Sequence, residues 1–335
     1  MSKIKTWYVE TRCLASLFAS IRSIAETRGI ASILLITLIF PAPLWATACD
    51  DATTLVSQAY QLTNRDRQKS VLQQALKRCP NHPIAHNNLA VLFEKEGRDK
   101  QALYHYRQML NSSSEQYQIQ AWMSIGDLYY QQRQWPLSLE AYLYACTRNQ
   151  RARDRVNALL HENRYRTVEE NEVMKSESLA VLYDKSRLRK LSQLATQCQR
   201  QFKSVATSKA YLVETITVFR NLRFKTGQSN LRLVTENQLE EISLTLINQS
   251  ANKTIQISGH ADSQPWSGRT AEESQRLNQQ LSRNRAVSIK TALVQRGVPK
   301  NRIKIKGYGE NRPLVKGQNE AAWAKNRRVE IELND

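Results

Sequence analysis

Cysteine and histidine are scarce in this chain, five of each among 335 residues, and their spacing excludes more than their number does. No zinc-finger spacing of cysteines is present and His260 has no second ligand at a useful interval, so no metal set is expected. A nucleophile paired with a base in a recognisable arrangement is also missing, which argues against an enzyme; no cofactor is expected either. Basic-zipper and aromatic RNA-binding signatures are absent, so nothing but charge would point to nucleic acid, and no nucleic-acid partner is expected. What the chain does have is an excess of base. Its formal net charge is +19, concentrated in the second half, and such an excess favours anionic partners without choosing among nucleic acid, anionic lipid and a carboxylate-bearing polymer. With 41% hydrophobic and 24% charged residues the composition is that of a folded protein, and the length suits two ordinary domains.

Charge is missing altogether from residues 29–49. The apolar core of that segment is about half of the roughly 20 residues that a membrane-spanning helix needs, and Pro41 and Pro43 would end a helix near Phe40. Ala46 and Ala48 then fit an A-x-A cleavage site, so residues 1–48 read as an export signal cut after Ala48. An uncleaved anchor, giving membrane association, is the alternative. A lipoprotein box ending at Cys49 is a third reading, weakened by Ala46 where a larger aliphatic residue is usual. Cleavage would leave Cys49, Cys79, Cys146 and Cys198, an even number that permits disulfides in an exported protein. Cys49 and Cys79 flank the open end of the first helical hairpin and are the preferred pair, with free buried thiols as the alternative.

Internal repetition marks residues 49–165. Asn88-Leu89-Ala90 with Phe93, Gly97, Ala102 and Tyr106 is echoed 36 residues later by Ser124-Ile125-Gly126 with Tyr129, Ser138, Tyr142 and Ala145. Upstream, Leu55 and the run from Ala75 through Pro80 imply a first unit, and Trp122 stands at a favoured tryptophan position. The pattern resembles the tetratricopeptide repeat, in which small residues let paired helices pack closely; Ser138 and Val56 depart from it. The resemblance implies an all-α array whose concave face holds a protein partner. Phe93, Tyr106, Trp122, Tyr129 and Tyr142 are expected to pack between helices. Residues 166–210 read as capping helices and a connector.

Residues 211–335 alternate between strand and helix patterns. Short β-type runs are expected at 216–218, 254–258, 302–306 and 328–333, with helices at 233–248 and 278–296. Between them lie Phe224-Lys225-Thr226-Gly227-Gln228-Ser229, Gly259-His260-Ala261-Asp262, Asn278 through Ala286, Gly307-Tyr308-Gly309-Glu310 and Asn326-Arg327-Arg328-Val329-Glu330. In this order the five motifs resemble the OmpA-like C-terminal domain, found also in flagellar stator proteins and peptidoglycan-associated lipoproteins. The resemblance implies an α+β fold of βαβαβ type, a mixed sheet with helices on one face, which binds the diaminopimelate of peptidoglycan stem peptides without cutting it.

The free end of diaminopimelate carries an ammonium and a carboxylate on one carbon, so its site needs an anion and a cation close together. By the resemblance Asp262 takes the ammonium and Arg285 the carboxylate, a task suited to a guanidinium fork. Asn278 and Arg285 lie two helical turns apart with Leu281 between them; Asn278 and Arg327 would support the ligand, and Thr226 and Gly227 would line the site. An ordinary surface salt bridge is the bland alternative for Asp262 and Arg285, and His260 reads as structural. Two departures stand out: Ala261 replaces the usual threonine, and residues 264–275 form an insertion carrying Trp266 and Arg269, a length that loops tolerate.

The whole sequence thus reads as a multidomain, exported, non-enzymatic protein of the periplasm or cell envelope of a Gram-negative-type bacterium, associated with the outer membrane. Its partners would be peptidoglycan and an envelope protein held by the repeats. A flagellar-stator-like component and a cell-wall peptide hydrolase are the alternatives. A stator carries an acid within its membrane span, and residues 29–49 contain none.

Overall fold

A computed structural model describes residues 44–161, 164–166, 172–200, 219–231, 233–248 and 253–334. The expected export signal lies almost wholly outside these residues. The cleavage point at Ala48 falls inside the first described helix, α1 (Leu44–Gln61). Among the described residues no helix is long and apolar enough to cross a membrane.

Residues 48–335 form one compact unit. Its first part is helical: α2 (Arg65–Arg78), α3 (Pro83–Lys95), α4 (Asp99–Met109), α5 (Glu115–Gln131), α6 (Trp135–Ala145), α7 (Gln150–His161), α8 (Ser176–Tyr183) and α9 (Lys185–Arg200). Local signals set the boundaries. Asn64 caps α2 through its side chain, and Pro83 and Pro136 occupy first-turn positions where a missing N–H costs nothing. Helices α3 and α4, and α5 and α6, pack as hairpins. A tyrosine on the second helix of each bonds an acid on the first: Tyr106 Oη donates to Glu94 Oε2 at 2.9 Å and Tyr142 Oη to Asp127 Oδ1 at 2.7 Å. Tyr142 is fully buried against Gly126, where a Cβ would lie 2.6 Å from the ring. Ser138, out of place in the repeat pattern, has a local role: its hydroxyl donates to the Gly126 carbonyl at 2.9 Å.

Disulfides join Cys49 to Cys79 and Cys146 to Cys198, with Cα separations of 5.0 and 5.7 Å. The first ties the start of α1 to the end of α2. It also occupies the sulfur that a lipid thioether on Cys49 would require.

The second part holds β1 (Phe219–Arg223), α10 (Leu233–Asn248), β2 (Thr254–Gly259), α11 (Ala271–Gln295), β3 (Ile303–Gly307), α12 (Glu320–Asn326) and β4 (Arg328–Asn334). The strands form one mixed sheet in the order β1-β4-β2-β3, with β2 and β3 parallel and β4 antiparallel to both β1 and β2. Alternation along β2 and β4 sends Ile255, Ile257, Val329, Ile331 and Leu333 into a core with Leu239, Ile242 and Leu246 of α10 and Ala286, Ile289 and Leu293 of α11. Gln256, Ser258, Arg328, Glu330 and Glu332 alternate with them and line a polar cavity of about 460 Å³ with Lys306 and Tyr308.

The expected run 216–218 lies outside the described residues; the first described strand is Phe219–Arg223, whose pairing with β4 is irregular between Phe219 and Leu222. One helix boundary is corrected. Helix α11 begins at Ala271 rather than 278, because Thr270 and Glu273 form a reciprocal capping box; the insertion is therefore partly helix. Residues 172–183, assigned to cap and connector, are packed onto the sheet domain. Gln238 exchanges hydrogen bonds with both backbone groups of Met174, Glu241 bonds Lys175 and Ser176, and Tyr183 Oη donates to the Ile331 carbonyl.

Candidate ligand site at the end of the sheet

The site forms where β2 and β3 run into the flank of α11. Close approach makes it possible. A Cβ on Gly259 would lie 1.9 Å from the Ser282 carbonyl oxygen, and one on Gly307 would meet Ser282 Oγ at 2.7 Å. Two glycines at the same register of the parallel pair thus let the helix lie on the strand ends. Beyond Gly259 the chain is fixed by backbone bonds, His260 N–H donating to Arg328 and Ala261 N–H to Gly309, and this delivers Asp262 opposite Asn278 and Arg285.

Arg285 is wholly buried. Its Nε donates to the Gln228 carbonyl at 2.9 Å, Nη1 to His260 at 2.8 Å and Nη2 to Lys225 at 3.2 Å, while Cζ lies 5.3 Å from the Phe224 ring centre. Burial pulls its pKa down to about 10, an effect that the nearby Asp262 carboxylate opposes and Arg327 reinforces. Three of its five N–H donors are thus committed to carbonyls. The turn that supplies two of these carbonyls contains Thr226 and Gly227, both exposed, with Gly227 at φ 67°.

Asp262 pairs directly with Arg327 rather than with Arg285. Arg327 Nη1 stands 3.0 Å from Asp262 Oδ2, and the two residues are 6% and 7% exposed. Arg327 also bonds Glu320. Burial works against its charge, but Glu320 and Asp262 outweigh it and hold the pKa above the ordinary value. Asn278, 2% exposed, binds the site together: its Nδ2 donates to the Asp262 carbonyl at 3.2 Å and to Glu310 Oε2 at 2.6 Å, and its Oδ1 accepts from Trp266 Nε1 at 2.8 Å. Leu281 is half-buried on the same helix. The surface-salt-bridge alternative does not fit groups so deeply buried.

Sequence reasoning brought Asp262, Arg285, Asn278 and Arg327 together but left out Glu310 and Glu320 as charge partners. Glu310 stood in a motif already singled out. Glu320 carried no signal beyond the Asn319 cap that starts its short helix. His260 behaves as a structural residue: it is buried, stacks on Tyr308 with ring centres 5.4 Å apart, and stands 3.6 Å from Glu330. Burial lowers its pKa. Burial would raise that of Glu330, but His260 and Arg328 hold it down at about 2.

Residues 223–327 match the OmpA family model. Outer membrane porin F of Pseudomonas fluorescens is 43% identical over 79 residues, which is 24% of this chain and 22% of that protein. The peptidoglycan-associated lipoprotein of Pseudomonas putida is 40% identical over 65 residues, 19% of this chain and 39% of the relative. Motility protein B of Bacillus subtilis is 33% identical over 137 residues, 40% and 48% of the two chains. The chain thus spans less than half the length of each. Among solved structures, the C-terminal domain of Helicobacter pylori MotB is 23% identical with a TM-score of 0.31, covering 34% of this chain and 83% of that one.

Proposed function

Starting from an OmpA-like domain at the C-terminus, we propose that this protein binds peptidoglycan without cleaving it, through the zwitterionic end of diaminopimelate in the stem peptide. The observation that carries the reading is the buried Asp262–Arg327 pair set beside the buried Arg285 guanidinium. An ammonium is met by Asp262 and a carboxylate by Arg285, with Arg327 and Asn278 fixing the Asp262 carboxylate and backbone. Thr226 and Gly227 line the rim, and Leu281 lies on the helix between Asn278 and Arg285. Two of the relatives above are named for the outer membrane or for peptidoglycan association, and this supports an envelope location. Two disulfides support an oxidising compartment reached by export, with residues 1–48 as the signal.

The helical hairpins of α3 to α6 support a tetratricopeptide-like array that holds an envelope protein. A stator-like role is the second reading, favoured by the likeness to motility protein B.

The test is a sedimentation assay of the full chain on purified sacculi, with calorimetric titration of free meso-diaminopimelate. Asp262→Asn keeps the shape and removes the charge, so affinity is expected to fall at least about tenfold, as for loss of one partner of a buried charge pair. Binding undiminished in Asp262→Asn would overturn the assignment.

A further inference from the structure

Trp266 lies on the segment that joins β2 to α11, and two hydrogen bonds fix its position. The indole Nε1 donates to Asn278 Oδ1 at 2.8 Å, the backbone N–H donates to Ser274 Oγ at 3.2 Å, and ring atom Cη2 comes within 3.9 Å of where a Cβ on Gly227 would stand. The ring therefore reaches from α11 to the turn whose carbonyls hold Arg285. It is half-buried, with its one polar atom satisfied and part of its apolar face left open to solvent. The groups around it are otherwise polar: Asp262, Asn278, Glu310 and Arg327 supply charge and hydrogen bonds, but no apolar surface for the remainder of a ligand.

Resting on the diaminopimelate reading, we infer that Trp266 is a further ligand-contacting residue, the apolar wall against which the three-methylene chain of diaminopimelate packs. The zwitterionic end is held by Asp262 and Arg285. The chain leading away from it must cross the rim between Asn278 and Gly227, and the indole lines that crossing. Gly227 makes the turn at φ 67°, and a Cβ there would stand in ordinary van der Waals contact with the ring. The bond from Trp266 to Asn278 further couples the wall to the polar contacts, because Asn278 also orients the Asp262 backbone.

Calorimetric titration of the full chain with free meso-diaminopimelate tests this. Trp266→Ala is expected to weaken binding about tenfold, the scale for exposing two or three methylenes. Trp266→Phe, which keeps a ring but loses the bond to Asn278, should fall between the two. A second readout separates a wall from a merely structural residue. D-norleucine and D-alanine share the ammonium-bearing carboxylate carbon and differ in chain length, so their affinity ratio in competition should shrink in Trp266→Ala toward parity. An unchanged ratio with wild-type diaminopimelate affinity overturns the inference while leaving the proposed function intact. Tighter binding by Trp266→Ala overturns it as well, since the indole would then be a plug. No binding by the wild-type chain, to the free amino acid or to sacculi, overturns both.

Discussion

Arg285 shows how much of a side chain's surroundings a sequence leaves out. Its motif made it a carboxylate-binding candidate beside Asp262, yet the structure surrounds it with the carbonyls of Lys225, Gln228 and His260 and gives Asp262 to Arg327. Carbonyl partners are invisible in sequence because every residue has one. Arg285→Ala strands three buried acceptors and is expected to destabilise the fold by about 3 kcal/mol or more, read as a lower urea midpoint; Asp262→Asn, which leaves the buried Arg327 with Glu320 as its acid, should lower the midpoint as well. A second residue-scale expectation concerns His105 in α4. His86 Nε2 faces the Pro80 carbonyl at 2.8 Å and donates to it; with burial keeping both rings neutral, His86 Nδ1 accepts from His105 Nδ1 at 2.9 Å. Burial, and then His86, lower the His105 pKa from 6.5 to about 4. Between those values the unfolded chain binds more protons than the folded one, so stability falls as the pH drops through that window. Urea titrations at neutral pH and near pH 5 should show the loss, and His105→Asn should reduce the slope.

At the scale of elements, three strands and one helix fall within a residue of the bounds expected from sequence. Helix α10 follows its apolar periodicity from Leu233 to Asn248, as expected. The N-terminus of α11 was legible but overlooked: Thr270 and Glu273 carry the capping signature, while Asn278 drew attention through its motif. Strand β1 was harder, since Arg220 and Asn221 interrupt the apolar alternation and its pairing shifts beside them. Thr270→Ala is expected to cost about 1 kcal/mol and, by loosening the helix start, to increase hydrogen exchange in the first turns of α11 more than elsewhere. Gly126→Ala forces a methyl against the Tyr142 ring, so an overpacking loss of about 1–3 kcal/mol is expected. Thermal unfolding checks it, and Gly126→Ala with Tyr142→Leu should recover part of the loss.

For the whole molecule, composition bounded the number of domains but not their independence. The boundary between helices and sheet domain, expected as a connector, contains Met174 and Tyr183, both buried in one core with the strands. Nothing in a helical stretch of sequence announces that it will dock on a later domain, because the complementary surface is formed by residues far along the chain. The cross-links operate on this larger scale too. Cys146–Cys198 spans 52 residues and joins α6 to α9, so Cys146→Ala with Cys198→Ala is expected to lower stability by about 2–4 kcal/mol, read as a lower melting temperature that reductant no longer shifts.

The Gln238, Glu241 and Tyr183 bonds that clamp residues 174–183 to α10 and β4 also make a load path. A pull applied at Asp262 passes through the sheet into these bonds, so the side-chain clamp shares a load that the backbone connection would otherwise carry by itself.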